Sequence, residues 1–379
     1  MLNRIKDIIY SITGWLARMG TRKSHTNKVL LVRVDEIGDY MLWRPLIEEL
    51  CSWQRLSGSE ITLCGNISWR SLYEQLDAEK FANTIWLDKS RFKSDIFYRF
   101  QFLKKVYQEG FGIVINPTYS RDKRNDDAIV KAAKSPENIG MVANTENWRT
   151  YDEGYDGGLY TATWEGPTTP LFELERNRLF TEYVTGKSIK HIQWQIPEAK
   201  LPALSIALPE KFLVIFPGSR SIHRIWPAAY FAEVAQHCLK NYGYAIVICG
   251  GNADKLYAAA FKKVFTESVT DLTGVTRLPE LLTILHRAAA LITVDTGSVH
   301  LAAAVGCKVL GIYNGSQYGR FAPYPNELAP QVVAIYPDTI LQDLQDPQII
   351  SSKYTYTVSI PYHLVQPSQV IHHLNRIIQ

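Results

Sequence analysis

The chain has 379 residues, 46% of them hydrophobic and 21% charged, which excludes a disordered polymer and is too long for one ordinary core. Its net charge of +4 resides in residues 1–26, where Arg4, Lys6, Arg18, Arg22 and Lys23 face one acid, Asp7. The rest is close to neutral, which argues against a broad nucleic-acid-binding surface. No apolar run approaches bilayer length and no signal peptide is evident. Five scattered cysteines (Cys51, Cys64, Cys238, Cys249, Cys307) lack metal-ligand spacing and read as reduced core thiols in a cytoplasmic setting.

In chain order, the first element is a helix. Leu2, Ile5, Ile9, Ile12, Trp15, Leu16 and Met19 recur at helical spacing with basic residues between and after them. A Trp-bearing apolar face beside a cationic one suits an anionic membrane surface, reached through residues 1–24. The competing expectation is a helix packed on its own domain or on a second subunit.

Strands are expected at 28–34, 61–64, 84–87 and 112–116, with helices at 37–50 and 95–108 between them. From about 121 to 166 the pattern degrades into polar, Gly-rich and aromatic sequence (Trp148, Tyr151, Tyr155, Tyr160, Trp164). Those rings either line a sugar or lipid site or fill a small core, the latter being preferred. A helix at 171–184 precedes a linker marked by Pro197, Pro202 and Pro209. The second half alternates again, with strands at 212–216, 245–249, 291–294 and 308–312. Its helices are expected at 228–240, 253–265, 278–289 and 299–305. This alternation implies an α/β fold of two Rossmann-like, doubly wound domains with ligands at strand carboxyl ends in the cleft between them. The domains divide as 1–26 (basic helix), 27–200 and 201–379, the last helix being free to return to the first domain.

Three strand-to-loop junctions in the second half point to one edge of a parallel sheet. Gly218, Ser219 and Arg220 follow the first strand, with His223, Arg224 and Trp226 close behind; Gly250 and Gly251 follow the next. The third is L-I-T-V-D-T-G-S-V-H-L-A-A-A (291–304), an apolar run ending at Asp295 that turns through Thr296 and Gly297 into a small-residue helix carrying His300. Free N–H groups at such a helix start, the helix dipole, hydroxyls and arginines suit a diphosphate. An ordinary capped helix explains the third segment alone equally well. No G-x-x-x-x-G-K-[ST] or G-x-G-x-x-G is present. In the first half Gly38 and Asp39 follow the opening strand, and a carboxylate there can serve as general base; Asp35 and Glu36 compete for that role, and helix capping competes as an explanation.

These motifs resemble glycosyltransferase family 9, the bacterial heptosyltransferases. The resemblance rests on R-V-D-E-I-G-D-Y-M-L-W-R-P-L, F-P-G-S-R-S-I-H-R-I-W-P-A-A-Y-F, C-G-G-N-A-D, and D-L-T-G-V-T-R-L-P-E-L followed by V-D-T-G-S-V-H-L-A-A-A. It covers roughly 28–60 and 210–320, and its specificity lies in the combination. It implies a GT-B architecture and an inverting transfer of a sugar, typically heptose from ADP-heptose, to a lipopolysaccharide core or related glycolipid or oligosaccharide, with no essential metal or other cofactor. Asp39 then matches the proposed base and Gly38 a close backbone approach. Asp295, Thr296, Gly297 and His300 match the donor motif. Arg224 stands where well-known members carry a phosphate-binding lysine, a change that keeps charge and alters geometry. Residues 120–200 match poorly, so the donor side is better defined than the acceptor. The expected place is the cytoplasm, peripheral on the inner membrane face. Alternatives are a relative using another nucleotide sugar on a capsule, glycoprotein or other glycan, and an inactive nucleotide-sugar-binding protein.

Overall fold

The computed structural model describes residues 2–23, 27–148, 158–167 and 169–378. Two compact units make up the chain: Met1–Pro167 with Leu174–Ile192, and Thr168–Glu173 with Gln193–Gln379.

The first unit opens with α1 (Leu2–Ala17) and continues through β1 (Lys28–Arg33), α2 (Ile37–Trp43), α3 (Ile47–Cys51), β2 (Glu60–Asn66), α4 (Arg70–Leu76) and β3 (Asn83–Leu87). It is completed by α5 (Lys89–Ser94), α6 (Ile96–Glu109), β4 (Ile113–Asn116), α7 (Asp126–Ala133), β5 (Glu137–Met141), β6 (Ala162–Trp164) and α8 (Glu173–Thr185). The strands lie in the order β3-β2-β1-β4-β5-β6 and every pairing is parallel. Continuous runs such as V-L-L-V in β1 fit this placement, because helices cover both faces of a parallel sheet. Its core joins Leu30, Val32, Cys64, Leu87, Phe92, Leu103, Val114 and Ile129. The helix expected over 37–50 is interrupted: Arg44–Leu46 form a 3₁₀ turn, where Pro45 lacks the N–H an α-helix requires.

The unreadable stretch hides regular structure. Helix α7 and strands β5 and β6 lie in it, and Leu159 and Tyr160 pack on the core. The Tyr160 ring covers Gly140, where a Cβ would approach it to 2.5 Å, so that ring has the core role. Tyr151 and Tyr155 lie outside the described residues.

The second unit runs β7 (Phe212–Phe216), α9 (Ala228–Tyr242), β8 (Ala245–Ile248), α10 (Lys255–Val264), β9 (Val269–Asp271), α11 (Leu278–Arg287) and β10 (Ala290–Val294). It ends with α12 (Gly297–Ala304), β11 (Val309–Ile312), β12 (Val332–Ile335), the single turn α13 (Pro347–Ile349) and α14 (Pro367–Ile378). The parallel order β12-β11-β10-β7-β8-β9 repeats the first unit's topology strand for strand, the Rossmann arrangement. Residues 193–200 fall with this unit, and the Ile196 N–H donates to the Ala304 carbonyl at 2.7 Å. Helix α14 packs on α9, and Val370 and Leu374 join the core of the second unit. Trp226, 1% exposed, donates its indole N–H to the Val365 carbonyl at 2.9 Å, tying the β7–α9 loop to the C-terminal segment.

All five cysteines are free thiols, four of them buried. Among the described residues no helix is long and apolar enough to cross a membrane.

Gly110 ends α6 in the left-handed region (φ 73°), and a Cβ there would lie 1.8 Å from the Lys23 carbonyl oxygen. Gly110→Ala should therefore cost more than the ~1 kcal/mol typical of a left-handed glycine, read as a lower denaturant midpoint with an unchanged slope.

Candidate functional site

In a doubly wound sheet, ligands gather at the carboxyl ends of the strands where the winding reverses. That point lies between β1 and β4 in the first unit and between β7 and β10 in the second.

At the first, β1 ends in the buried Arg33. Its guanidinium bonds the Pro117 carbonyl (2.7 Å), the Asn177 side chain (3.3 Å) and the Asp39 carbonyl (3.1 Å). It also pairs with the Asp35 carboxylate at 3.0 Å. One cation thus fixes the loop after β1 against the loop after β4 and the start of α2. Gly38 and Asp39 lie in the first turn of α2, where the Asp39 Oδ2 accepts the Glu36 N–H at 3.2 Å in a reciprocal capping box. Glu36 pairs with Lys89 at 2.8 Å. Of the three competing acids, Asp35 and Glu36 are therefore each held by a cation, while Asp39 caps the helix.

A polar cluster follows β4. Asn116 reaches Asp126 (3.3 Å) and the Tyr160 hydroxyl (2.8 Å), and that hydroxyl donates to Asp127 at 2.7 Å. Arg121 pairs with Asp127 at 3.4 Å. Burial pushes the Asp126 carboxyl up to about 8, with neighbouring Asp127 and Asp122 adding to the rise. This cluster was invisible in the sequence because Asp126 and Asp127 open a helix, α7, that the polar sequence of 121–166 conceals.

At the second switch point, the loops after β10, β7 and β8 leave adjacent strands side by side. Arg224, at the end of a 3₁₀ turn after β7, pairs with the Asp295 carboxylate at 3.0 Å, spanning the reversal. Burial raises the Asp295 carboxyl and Arg224 opposes that rise. Thr296 precedes α12, and Gly297 is its first residue. The Thr296 hydroxyl meets that of Ser298 at 2.7 Å, and Ser298 meets Thr293 at 3.0 Å.

On the other side, Gly218, Gly250 and Gly251 converge on Asp254, a residue inside the C-G-G-N-A-D motif that had no assigned role. A Cβ on Gly218 would meet Asp254 Oδ1 at 2.0 Å, and one on Gly250 would meet its Cβ at 2.8 Å. The Asp254 carboxylate accepts the Gly251 N–H at 2.8 Å. These glycines therefore make room for a carboxylate. Ser219 is half-buried and Arg220 exposed.

Arg224 also lines a cavity of about 460 Å³ with Asn314, Ser316, Val358, Tyr362 and His363. Asn314 holds one wall by donating to the Val358 and Ile360 carbonyls at 3.2 and 2.9 Å. The wall formed by residues 357–363 carries no motif, so sequence reading missed it. Among the described residues no cluster of three or more His, Cys, Asp or Glu is placed to hold a metal ion.

His300 is set apart from the others. It is 5% exposed, its Nδ1 bonds the Tyr324 hydroxyl, and its ring also faces Phe321. Burial lowers it to about 4, so it is neutral at pH 7.

Residues 158–345 match the family model described as Glycosyltransferase family 9 (heptosyltransferase). The chain is 28% identical over 153 residues to lipopolysaccharide heptosyltransferase 3 of Escherichia coli K12, covering 39% of this chain and 44% of that protein. It is 25% identical over 176 residues to the lipopolysaccharide core heptosyltransferase OpsX of Haemophilus influenzae, covering 44% and 49%. The chain thus spans about half the length of the curated relatives it matches. The fold resembles the crystal structure of a family 9 glycosyl transferase from Veillonella parvula (TM-score 0.68, 18% identity, 95% and 99% of the two chains). It also resembles E. coli heptosyltransferase WaaC with ADP (TM-score 0.65, 15% identity, 92% and 99%). The family resemblance and the expectation of two Rossmann-like domains in a GT-B fold are borne out; the match takes in residues 158–200, which were expected to match poorly, and the opening motif around Asp39 lies outside it.

Because the folded state holds His300 near 4 and an unfolded chain near 6.5, the unfolded state takes up the proton first as pH falls. Its contribution is intact above about pH 6.5, declines toward pH 4 and is then exhausted. His300→Gln should flatten this slope in a plot of melting temperature against pH, measured beside the parent chain.

Proposed function

We propose that this chain, a glycosyltransferase family 9 protein by its match over residues 158–345, is an inverting glycosyltransferase that moves heptose from ADP-heptose onto a lipopolysaccharide core or related glycolipid. The observation that carries this reading is the junction after β10, which lies within the matched region. There Asp295, its partner Arg224 and the N-terminus of α12 meet where the sheet reverses its winding. Unpaired N–H groups at a helix start and a guanidinium suit a diphosphate, and the fold neighbour WaaC is a heptosyltransferase with ADP.

On this reading the diphosphate rests on Gly218, Ser219 and Arg220 and on Thr296 and Gly297, with Gly250 and Gly251 shaping the adjoining loop around Asp254. An acceptor hydroxyl attacks the anomeric carbon from the face opposite the diphosphate. The new C–O bond forms as the bond to the phosphate oxygen breaks, and ADP departs with that electron pair. Asp39 takes the hydroxyl proton, and Gly38 leaves its approach unobstructed. Arg224 and the α12 N–H groups stabilise the charge gathering on the departing diphosphate, the role a metal fills elsewhere. His300, in the core, acts by positioning α12.

Calorimetry with ADP, UDP and GDP tests the donor: selective ADP binding is expected, and preference for UDP or GDP would move the enzyme to another sugar. Arg224→Ala should weaken ADP binding by roughly ten- to a hundredfold, the loss of one charged hydrogen-bonding group. Asp39→Asn should lower turnover by about 10²–10⁴-fold while leaving ADP affinity unchanged. Near-full turnover of that variant would overturn the base assignment. Turnover that survives EDTA is the expected sign of a metal-independent reaction.

A further inference from the structure

Helix α1 is fastened to its domain by one face only. Asp7 forms a forked pair with Arg124 at 2.7 and 2.9 Å. Tyr10, Thr13 and Ala17 are buried, the Tyr10 hydroxyl donates to the Lys93 carbonyl, and the Arg99 guanidinium stacks 3.9 Å from the Tyr10 ring centre. The opposite arrangement holds for the apolar positions. Ile5, Ile8, Ile9, Ile12, Trp15, Leu16 and Met19 are 42–59% exposed although the helix is docked. At 100° per residue the six that lie on the helix occupy roughly one third of its circumference, away from the docked side, and Met19 follows its end. The helix thus packs on its own domain, as one expectation had it, but through the side of Asp7, Tyr10, Thr13 and Ala17, and its apolar face stays outward.

We infer that the exposed apolar face of α1 is a docking element for an anionic lipid bilayer, on which the helix lies flat. Six large apolar side chains on one helical face, with Met19 just past the helix end, exceed the scattered hydrophobics of an ordinary surface. Charge selects the occupant. Arg4 stands on the helix at the border of the stripe, and Lys6, Arg18 and Lys23 add to the cationic excess of the helix and the segment after it. The helix's one acid, Asp7, is neutralised by Arg124 and does not oppose an anionic surface. An aliphatic stripe with a Trp near one end on a cationic segment matches an interfacial helix, which buries its apolar side to the acyl boundary and keeps its charges among headgroups. Because the anchoring residues lie on a different face, docking requires no unfolding. The inference goes beyond the transferase reading and does not depend on the donor.

The test is co-sedimentation of the full chain with phosphatidylcholine vesicles with and without phosphatidylglycerol, at low and high salt. Binding is expected to require phosphatidylglycerol and to weaken as salt screens the headgroups. The triple variant Ile8→Ser, Ile12→Ser, Trp15→Ser should bind at least about tenfold more weakly, because its lost apolar area is what enters the lipid. These side chains are exposed, so its melting temperature and its ADP affinity should match the parent. No binding to anionic vesicles, or equal binding by the triple variant, would overturn the inference. So would a dimer in sedimentation velocity that the triple variant dissolves without any vesicle binding, which would make a second copy of the chain the occupant. Failure to bind ADP with intact vesicle binding would sink the donor assignment alone.

Discussion

Both faces of each parallel sheet are covered by helices, so a strand such as β1 or β7 can carry polar side chains only where it ends. The candidate site groups Asp39, Arg224 and Asp295 therefore lie at the carboxyl edge of their own sheets, near the reversal of winding. Arg33 shows what that edge demands. It is the last residue of β1, fully buried, and is tolerated because it is spent on carbonyls, an amide and Asp35. In exchange it ties the two loops at the first switch point together.

The second switch point rests on the same logic. Asp295 sits where burial disfavours its charge, and Arg224 reaches across from the neighbouring loop to oppose that effect. Three buried phenols, Tyr313, Tyr336 and Tyr362, are held protonated by burial, and the Asp295 charge pushes each further that way. A second anion arriving at Arg224 would meet a guanidinium already oriented by its carboxylate. Such preorganisation is useful where charge develops during a reaction, because little reorganisation remains to be done. Asp254 plays the parallel part on the β8 side, filling the space that Gly218 and Gly250 leave open.

Much of this was legible in the residues, and the omissions have physical causes. The long apolar runs of β1, β7 and β10 and the Gly-bearing turns after them announce themselves. Strands β5, β6, β9 and β12 span five residues or fewer and carry Glu, Asn, Thr, Asp or Ala, so their pairing depends on the neighbour already in place. Helix α7 begins with Asp126 and Asp127, acids that read as a loop until the fold buries them with Arg121 and Tyr160. His300 shared a motif with Asp295, yet helical geometry turns it inward to Tyr324. Asp254 had no signal of its own, since three glycines in two loops reveal a carboxylate's space only once folded.

Local periodicity and turn chemistry, both properties of consecutive residues, determined the two alternating halves, the strand-end loops, the amphipathic α1 and the motifs of a family. Partnerships between distant residues were decided by tertiary structure alone. Arg224 met Asp295 across 71 positions, Arg124 met Asp7 across 117, and the apolar face of α1 was left outward. The reason is that an ion pair or a buried face depends on which chain segments share a small volume, and no spacing within a single element encodes that.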